Sequence, residues 1–213
     1  MYGLKQTTPP TDEPVAVADL KAFLRLNTTS EDALLAGFIS SARDLFEQQT
    51  DRQLMPATWT LYLDAFPRVI RCPKAPLNAV SSVQYYDSSD TLTTWSTANY
   101  SVDTAREPGR IVPSVWYPDW RVFPSFPALS YRISPKIIVQ FTAGYADANS
   151  VPPMIKQAIM LMASHWFNQR SETTTDKLDT LPIGWKNVVA MYKLNWVSNM
   201  NRPLYTPYDL DFE

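Results

Sequence analysis

Few residues in this 213-residue chain have types suited to chemistry, since it holds one histidine, His165, and one cysteine, Cys72. Acid–base or nucleophilic catalysis needs groups of matched pKa held together. His165 falls beside Trp166 in an apolar stretch with no nucleophile motif around it, so it reads as a structural residue. Cys72 lies between Arg71 and Pro73, where a neighbouring cation could lower its pKa, but no second group completes a nucleophilic site. It reads as a plain buried or half-buried cysteine. One cysteine also excludes an intrachain disulfide, and with one histidine it cannot build a thiolate-rich zinc site. The carboxylate pairs Glu31/Asp32 and Asp209/Asp211 have metal or acid–base chemistry open to them, but acids at a helix start are favoured simply by its dipole. Walker, dinucleotide, zinc-protease and α/β-hydrolase motifs are all missing. The expectation is a protein that is not an enzyme and takes no cofactor or metal.

Binding chemistry is more visible. Residues 106–136 carry Arg106, Arg110, Arg121, Arg132 and Lys136 against Glu107 and Asp119, interleaved with aromatic residues. That composition suits a nucleic-acid stacking surface, but arginine and aromatic side chains are equally enriched at protein interfaces. The whole chain, with 19 Lys+Arg and 21 Asp+Glu, has a formal net charge of −2 and lacks the basic footprint of a dedicated nucleic-acid binder. The N-terminal sequence MYGLKQTTPPTDEP contains neither a signal-peptide core nor an apolar run able to cross a bilayer, so synthesis in the cytoplasm is expected.

The elements that would position these surfaces follow from periodicity. Residues 1–14, with Pro9, Pro10 and Pro14, read as an extended leader apart from the core. Val17, Leu20, Phe23 and Leu24 then recur at helical spacing, predicting a helix over 16–26, although Ala16 makes a poor N-cap. A second helix is predicted over 31–50, opened by Thr29 and Asp32 at capping-box spacing. Its apolar stripe is Leu35, Phe38, Ile39, Ala42, Leu45 and Phe46, with Glu31, Asp32, Arg43, Asp44 and Glu47 mainly on the wet side.

From about 56 to 142 the period becomes strand-like, with Trp59, Leu61 and Leu63 alternating against Thr58, Thr60 and Tyr62. Further short strands of antiparallel style are predicted over 69–71, 80–86, 92–94, 100–102, 110–112 and 136–142. Phe141 to Gln157 joins the last of these, closed by Gly144, to a helix over 153–169 started by Pro153. A fourth helix is predicted over 185–196. The fold class is therefore α+β, a bundle of about four helices with an antiparallel β section inserted between the second and third.

Two segments stand out as contact surfaces. Between Pro113 and Pro135 the chain is rich in proline and aromatic residues, and a long ordered loop of that kind is usually functional. Trp116, Tyr117, Trp120, Arg121 and Phe123 are its candidate contacts, with Phe126 and Tyr131 completing the aromatic set. The tail after the last helix offers Trp196, Arg202, Tyr205, Tyr208 and Phe212. The resulting organisation is a leader over 1–14, one domain over 15–195 and an extension over 196–213.

Six stretches in order, PVAVADLKAFLRL, EDALLAGFISSARDLFEQQTDRQL, TWTLYLDAFP, CPKAPLNAVSSVQYYD, YSVDTAREPGRIVP and IIVQFTAGYADANSVPPMIKQAIMLMASHWFNQR, resemble the head–tail connector, or adaptor, proteins of tailed bacteriophages over roughly residues 14–195. The resemblance implies a structural virion protein of the neck that forms a homo-oligomeric ring. That ring, a dodecamer if it follows the portal's symmetry, would dock on the portal after DNA packaging and give a stopper or tail-completion protein its attachment surface. DNA would pass through its channel without sequence-specific binding, and no membrane is involved. The alternative is a DNA-contacting packaging or head-completion factor using the arginines of 106–136. Ala16 in place of a Ser or Thr cap, and the length of the aromatic loop, depart from the family pattern.

Overall fold

In the computed structural model, which describes residues 2–114, 126–169 and 183–194, helices and antiparallel sheets are arranged as an α+β fold. The helices are α1 (Val17–Leu24), α2 (Asp32–Thr50), α3 (Pro153–Asn168) and α4 (Ile183–Tyr192). Between α2 and α3 come strands β2 (Ala57–Leu63), β3 (Ile70–Arg71), β4 (Leu77–Tyr86), β5 (Leu92–Thr94), β6 (Tyr100–Asp103), β7 (Arg110–Pro113) and β8 (Ile137–Ala143), and β1 (Tyr2–Thr8) precedes them all. The predicted insertion of a β section between the second and third helices is borne out.

The strands form a five-stranded sheet, β1-β2-β8-β4-β5, and a three-stranded sheet, β3-β7-β6, with every strand pair antiparallel. Alternation builds the inner face: along β8, Ile137, Val139, Phe141 and Ala143 are buried and the residues between them half-buried. These side chains meet Leu61 and Val83 of the large sheet and Ile70, Tyr100 and Ile111 of the small one in a single apolar cluster. A second cluster fills the helical layer, where Leu20, Leu35, Ile39, Phe46, Ile155, Ile159, Met162 and Trp185 are buried together. Trp185 meets Phe46 edge-on at 5.6 Å and donates its indole N–H to Gln49 Oε1 at 2.9 Å.

Four sequence readings need correction. The N-terminal segment is extended, but Tyr2–Thr8 is not apart from the fold: it pairs with β2 from Tyr2 opposite Leu63 to Thr8 opposite Thr58. Only Leu4 packs on the sheet core, so backbone hydrogen bonds rather than an apolar pattern place this edge strand, and alternation could not reveal it. The predicted side-chain capping box does not form on α2: its N-cap residue is Glu31, with no side-chain capping bond, and from Thr29 it is the carbonyl that accepts the Asp32 N–H. Arg43 and Glu47, assigned to the wet side of α2, are each 7% exposed. They are buried as partners, Arg43 holding Glu13 at 2.7 Å and Glu47 at 3.2 Å. Finally, α4 ends at Tyr192 rather than near 196: the Leu194 N–H donates to the Thr50 carbonyl at 3.0 Å instead of continuing the helix, and Arg52 Nε satisfies the Tyr192 carbonyl left open there at 2.7 Å. No helix among the described residues is long and apolar enough to cross a membrane.

Candidate docking surfaces

The aromatic loop grows from two feet that the β layers hold in place. On the upstream side, Ser114 donates its N–H to the Asn99 carbonyl at 2.8 Å and its hydroxyl to the Ala98 carbonyl at 3.0 Å. On the downstream side, Phe126 stacks on Phe66 and lies 6.0 Å from Trp95, which in turn packs on Tyr100 at 5.2 Å. Phe126 is thus part of the sheet core's edge rather than a free contact residue. The candidates Trp116, Tyr117, Trp120, Arg121 and Phe123 lie outside the described residues, as do Trp196, Arg202, Tyr205, Tyr208 and Phe212 of the tail.

Beyond Phe126 the chain is pinned at short intervals. Ser130 N–H donates to the Tyr86 carbonyl at 2.9 Å and its hydroxyl to Asp90 at 2.8 Å. Arg132 lies over the Tyr86 ring at 3.6 Å and pairs with Asp90 at 3.7 Å, and Ser134 donates to Asp64. Between these anchors Tyr131 is 98% exposed and Ile133 96%. Tyr131 was noted in the sequence only as one aromatic among several, and Ile133 was not singled out.

The point where the tail leaves is also fixed. Arg52 reaches the Tyr192 carbonyl, pairs with Glu107 at 2.7 Å and lies 5.6 Å from the Tyr192 ring, while Leu194 N–H donates to the Thr50 carbonyl at 3.0 Å. One arginine therefore joins the ends of α2 and α4 to the β6–β7 turn. A lone arginine just beyond a helix gives no sequence signal of this role.

The groups weighed for catalysis do not converge. Cys72 is fully buried, its N–H donating to the Gly109 carbonyl, and burial pushes its thiol up to about 12, opposite to the lowering its Arg71 neighbour suggested. His165 is on α3, in the helical layer, whereas Cys72 belongs to the sheet core. Among the described residues no three of His, Cys, Asp and Glu gather as a metal site would require. The acid–base pair of consequence is structural: Glu47 accepts from Leu54 N–H at 2.8 Å, Gln53 Nε2 at 2.9 Å and Arg43, and Gln53 Oε1 accepts from Trp59 Nε1 at 3.0 Å. Burial lifts the Glu47 carboxyl above its ordinary value, against the pull of Leu54 N–H and Arg43. Burial alone would lower the Arg43 guanidinium, but the hydrogen bond to Glu13 and the charges of Glu47, Glu13 and Asp44 outweigh it and raise it.

A helix pair is followed by an antiparallel β section in which β8 returns between β2 and β4, and by a third and a fourth helix. Residues 15–104 match the phage gp6-like head-tail connector protein family. The resemblance drawn from the sequence is borne out over that stretch, which runs from α1 through β6 of the connector-like fold. Solved structures extend the likeness of fold beyond it. A chain of the neck of an empty GTA particle, computed with C6 symmetry, matches with TM-score 0.70 and 22% identity over 90% of this chain and 95% of that one. A chain of the virion of a native gene transfer agent particle matches with TM-score 0.71 and 20% identity over 89% and 94%. One from the neck of a native GTA particle, computed with C12 symmetry, gives 0.67 and 21% over 90% and 94%. No curated protein matches the chain significantly in sequence.

Proposed function

We propose that this protein is a structural head–tail connector of a tailed phage or phage-like particle, acting in the virion neck without turnover. The observation that carries the reading is the connector-family match over residues 15–104, and the neck-protein fold over nine-tenths of the chain agrees with it. Copies assemble into a ring, for which twelve-fold symmetry is the natural choice given the symmetry of the related neck. A ring of identical subunits needs a heterologous interface, one face of each protomer fitting a different face of the next. The ring docks on the portal after packaging, presents its other side to a stopper or tail-completion protein and leaves an axial passage for DNA. The family match favours this over a DNA-contacting packaging factor, and the net charge of −2 suits a channel along which DNA slides.

Loop residues Trp116, Tyr117, Trp120, Arg121 and Phe123, and tail residues Trp196, Arg202, Tyr205, Tyr208 and Phe212, supply contacts to neighbours, portal or stopper. Support comes from the aromatic composition of both segments and from the fixed points at which they leave the described fold, Ser114 and Phe126 for the loop and Leu194 for the tail. The test is a pull-down of the portal, of the stopper and of a second, tagged copy with the whole chain, with a chain truncated after Asn195 and with Trp120→Ala. The truncated chain should fold but lose portal or neighbour binding, and Trp120→Ala should weaken a ring or stopper contact by about 2 kcal/mol. Unchanged binding by both would remove these segments from the interface.

A further inference from the structure

Tyr131 and Ile133 are large apolar side chains, almost wholly exposed, on a segment tied down by Tyr86, Asp90 and Asp64. Apolar groups displayed so fully on an anchored segment are preorganised for a partner, since little entropy is lost on binding. Their place in the fold is defined: Lys136 N–H donates to the Leu63 carbonyl and Tyr86 N–H to the Lys136 carbonyl, so the segment lies where β2 ends and β8 begins.

A complementary feature lies at the other end of the same two strands. A recess of about 450 Å³ opens beside Pro56, just before β2, and Ala146, just after β8. Val17, Ala36, Pro56, Ala146 and Ala148 give it an accessible apolar wall over the buried Val15, Ile39 and Met55, and Asp12 and Asp147, with the Arg43-paired Glu13, an acidic rim with no basic residue in its lining. The seven residues of β2 separate projection from recess by about 20 Å along the strands. A projection and a recess at opposite ends of one protomer are the two unlike faces that a head-to-tail ring requires.

We infer that the Tyr131/Ile133 projection of one protomer seats in the acid-rimmed recess of the next copy of the chain. Tyr131 lays its ring against Val17, Pro56, Ala146 and Ala148, and Ile133 packs at the mouth beside Ala36. Arg132 is used within its own protomer by Tyr86 and Asp90, and Lys136, at the base of the projection beside Asp64, brings a cation toward Asp12 and Asp147. This rests on the ring reading above, and commits it to one contact.

Cross-linking tests it in the whole chain, because the native Cys72 is fully buried and unreactive. A chain carrying both Ile133→Cys and Ala36→Cys, assembled alone or on its portal and treated with a short bismaleimide, should give a ladder of covalent multimers. A mixture of the two single variants should stop at dimers. Adding Tyr131→Asp to the Ile133→Cys chain should cut the dimer at least tenfold while leaving thermal unfolding unchanged. Rings visible by microscopy that fail to cross-link, that assemble equally well with Tyr131→Asp, or in which Ile133→Cys couples to a different neck protein would overturn this contact and leave the ring standing. If the unmodified protein forms no ring alone or on its portal, the ring reading itself falls, and this contact with it.

Discussion

Phe126 lies flat against Phe66, ring centroids 4.8 Å apart and planes 3° from parallel. The pair closes one foot of the aromatic loop onto the sheet core, where Phe66 also meets Trp95 at 5.2 Å and Tyr85 at 6.1 Å. Phe66→Ala removes the platform for three rings at once. Because Phe66 is half-buried, the expected loss of folding stability is about 2 kcal/mol, below the range for a fully buried phenylalanine. Denaturant unfolding would measure it, and a loss under about 0.5 kcal/mol would show that the stack does not hold the loop's foot.

Two glycines should respond in opposite directions. Gly144, at φ +127°, would bring a Cβ within 2.5 Å of the Met55 carbonyl oxygen, where neither backbone can yield cheaply. Gly144→Ala should destabilise by about 3 kcal/mol or more. Gly37 lies within α2 with nothing within 4 Å of an added Cβ, so Gly37→Ala should stabilise by about 1 kcal/mol. Equal and small effects at both sites would contradict the packing at the β8–α3 junction.

The buried Glu47 makes a pH prediction with a definite sign. Its carboxyl is lifted above the ordinary value of 4.5, chiefly by burial, so the folded chain binds that proton more tightly than the unfolded chain. The associated stability is complete below 4.5 and is lost as pH rises through the higher folded value. Asp103 and Asp147 act oppositely. The Arg110 side chain and the Ser150 backbone N–H hold them below the ordinary 3.8, so their contribution is present above that value and lost as pH falls through the lower folded ones. Glu47→Gln should flatten the decline on the upper side and leave the acid-side loss in place. Unfolding midpoints from about pH 3 to 7 would check this, and an undiminished upper-side decline would assign it to another group.

Most of the architecture was legible because it depends on side-chain periodicity. The stripe Leu35, Ile39, Ala42 and Phe46 marks α2, and the alternation of Ile137, Val139 and Phe141 marks β8, since in both the buried face repeats with the element's own geometry. β1 was not legible because its pairing is made by backbone groups and its side chains are mostly exposed. Arg43 and Glu47 were misassigned for a related reason: charge alone says wet, and only the tertiary approach of Glu13 and Leu54 makes burial tolerable. The exposure of Tyr131 and Ile133 was not legible, because it depends on anchors from Tyr86, Asp90 and Asp64, all more than 40 positions away in the chain and brought near only by folding.

Electron microscopy of the purified protein, alone and mixed with its portal, tests the central claim most directly. The connector account predicts a closed ring coaxial with the portal and capping its narrow end, with rotational symmetry matching the portal's. Monodisperse monomers that leave an intact portal bare would contradict it.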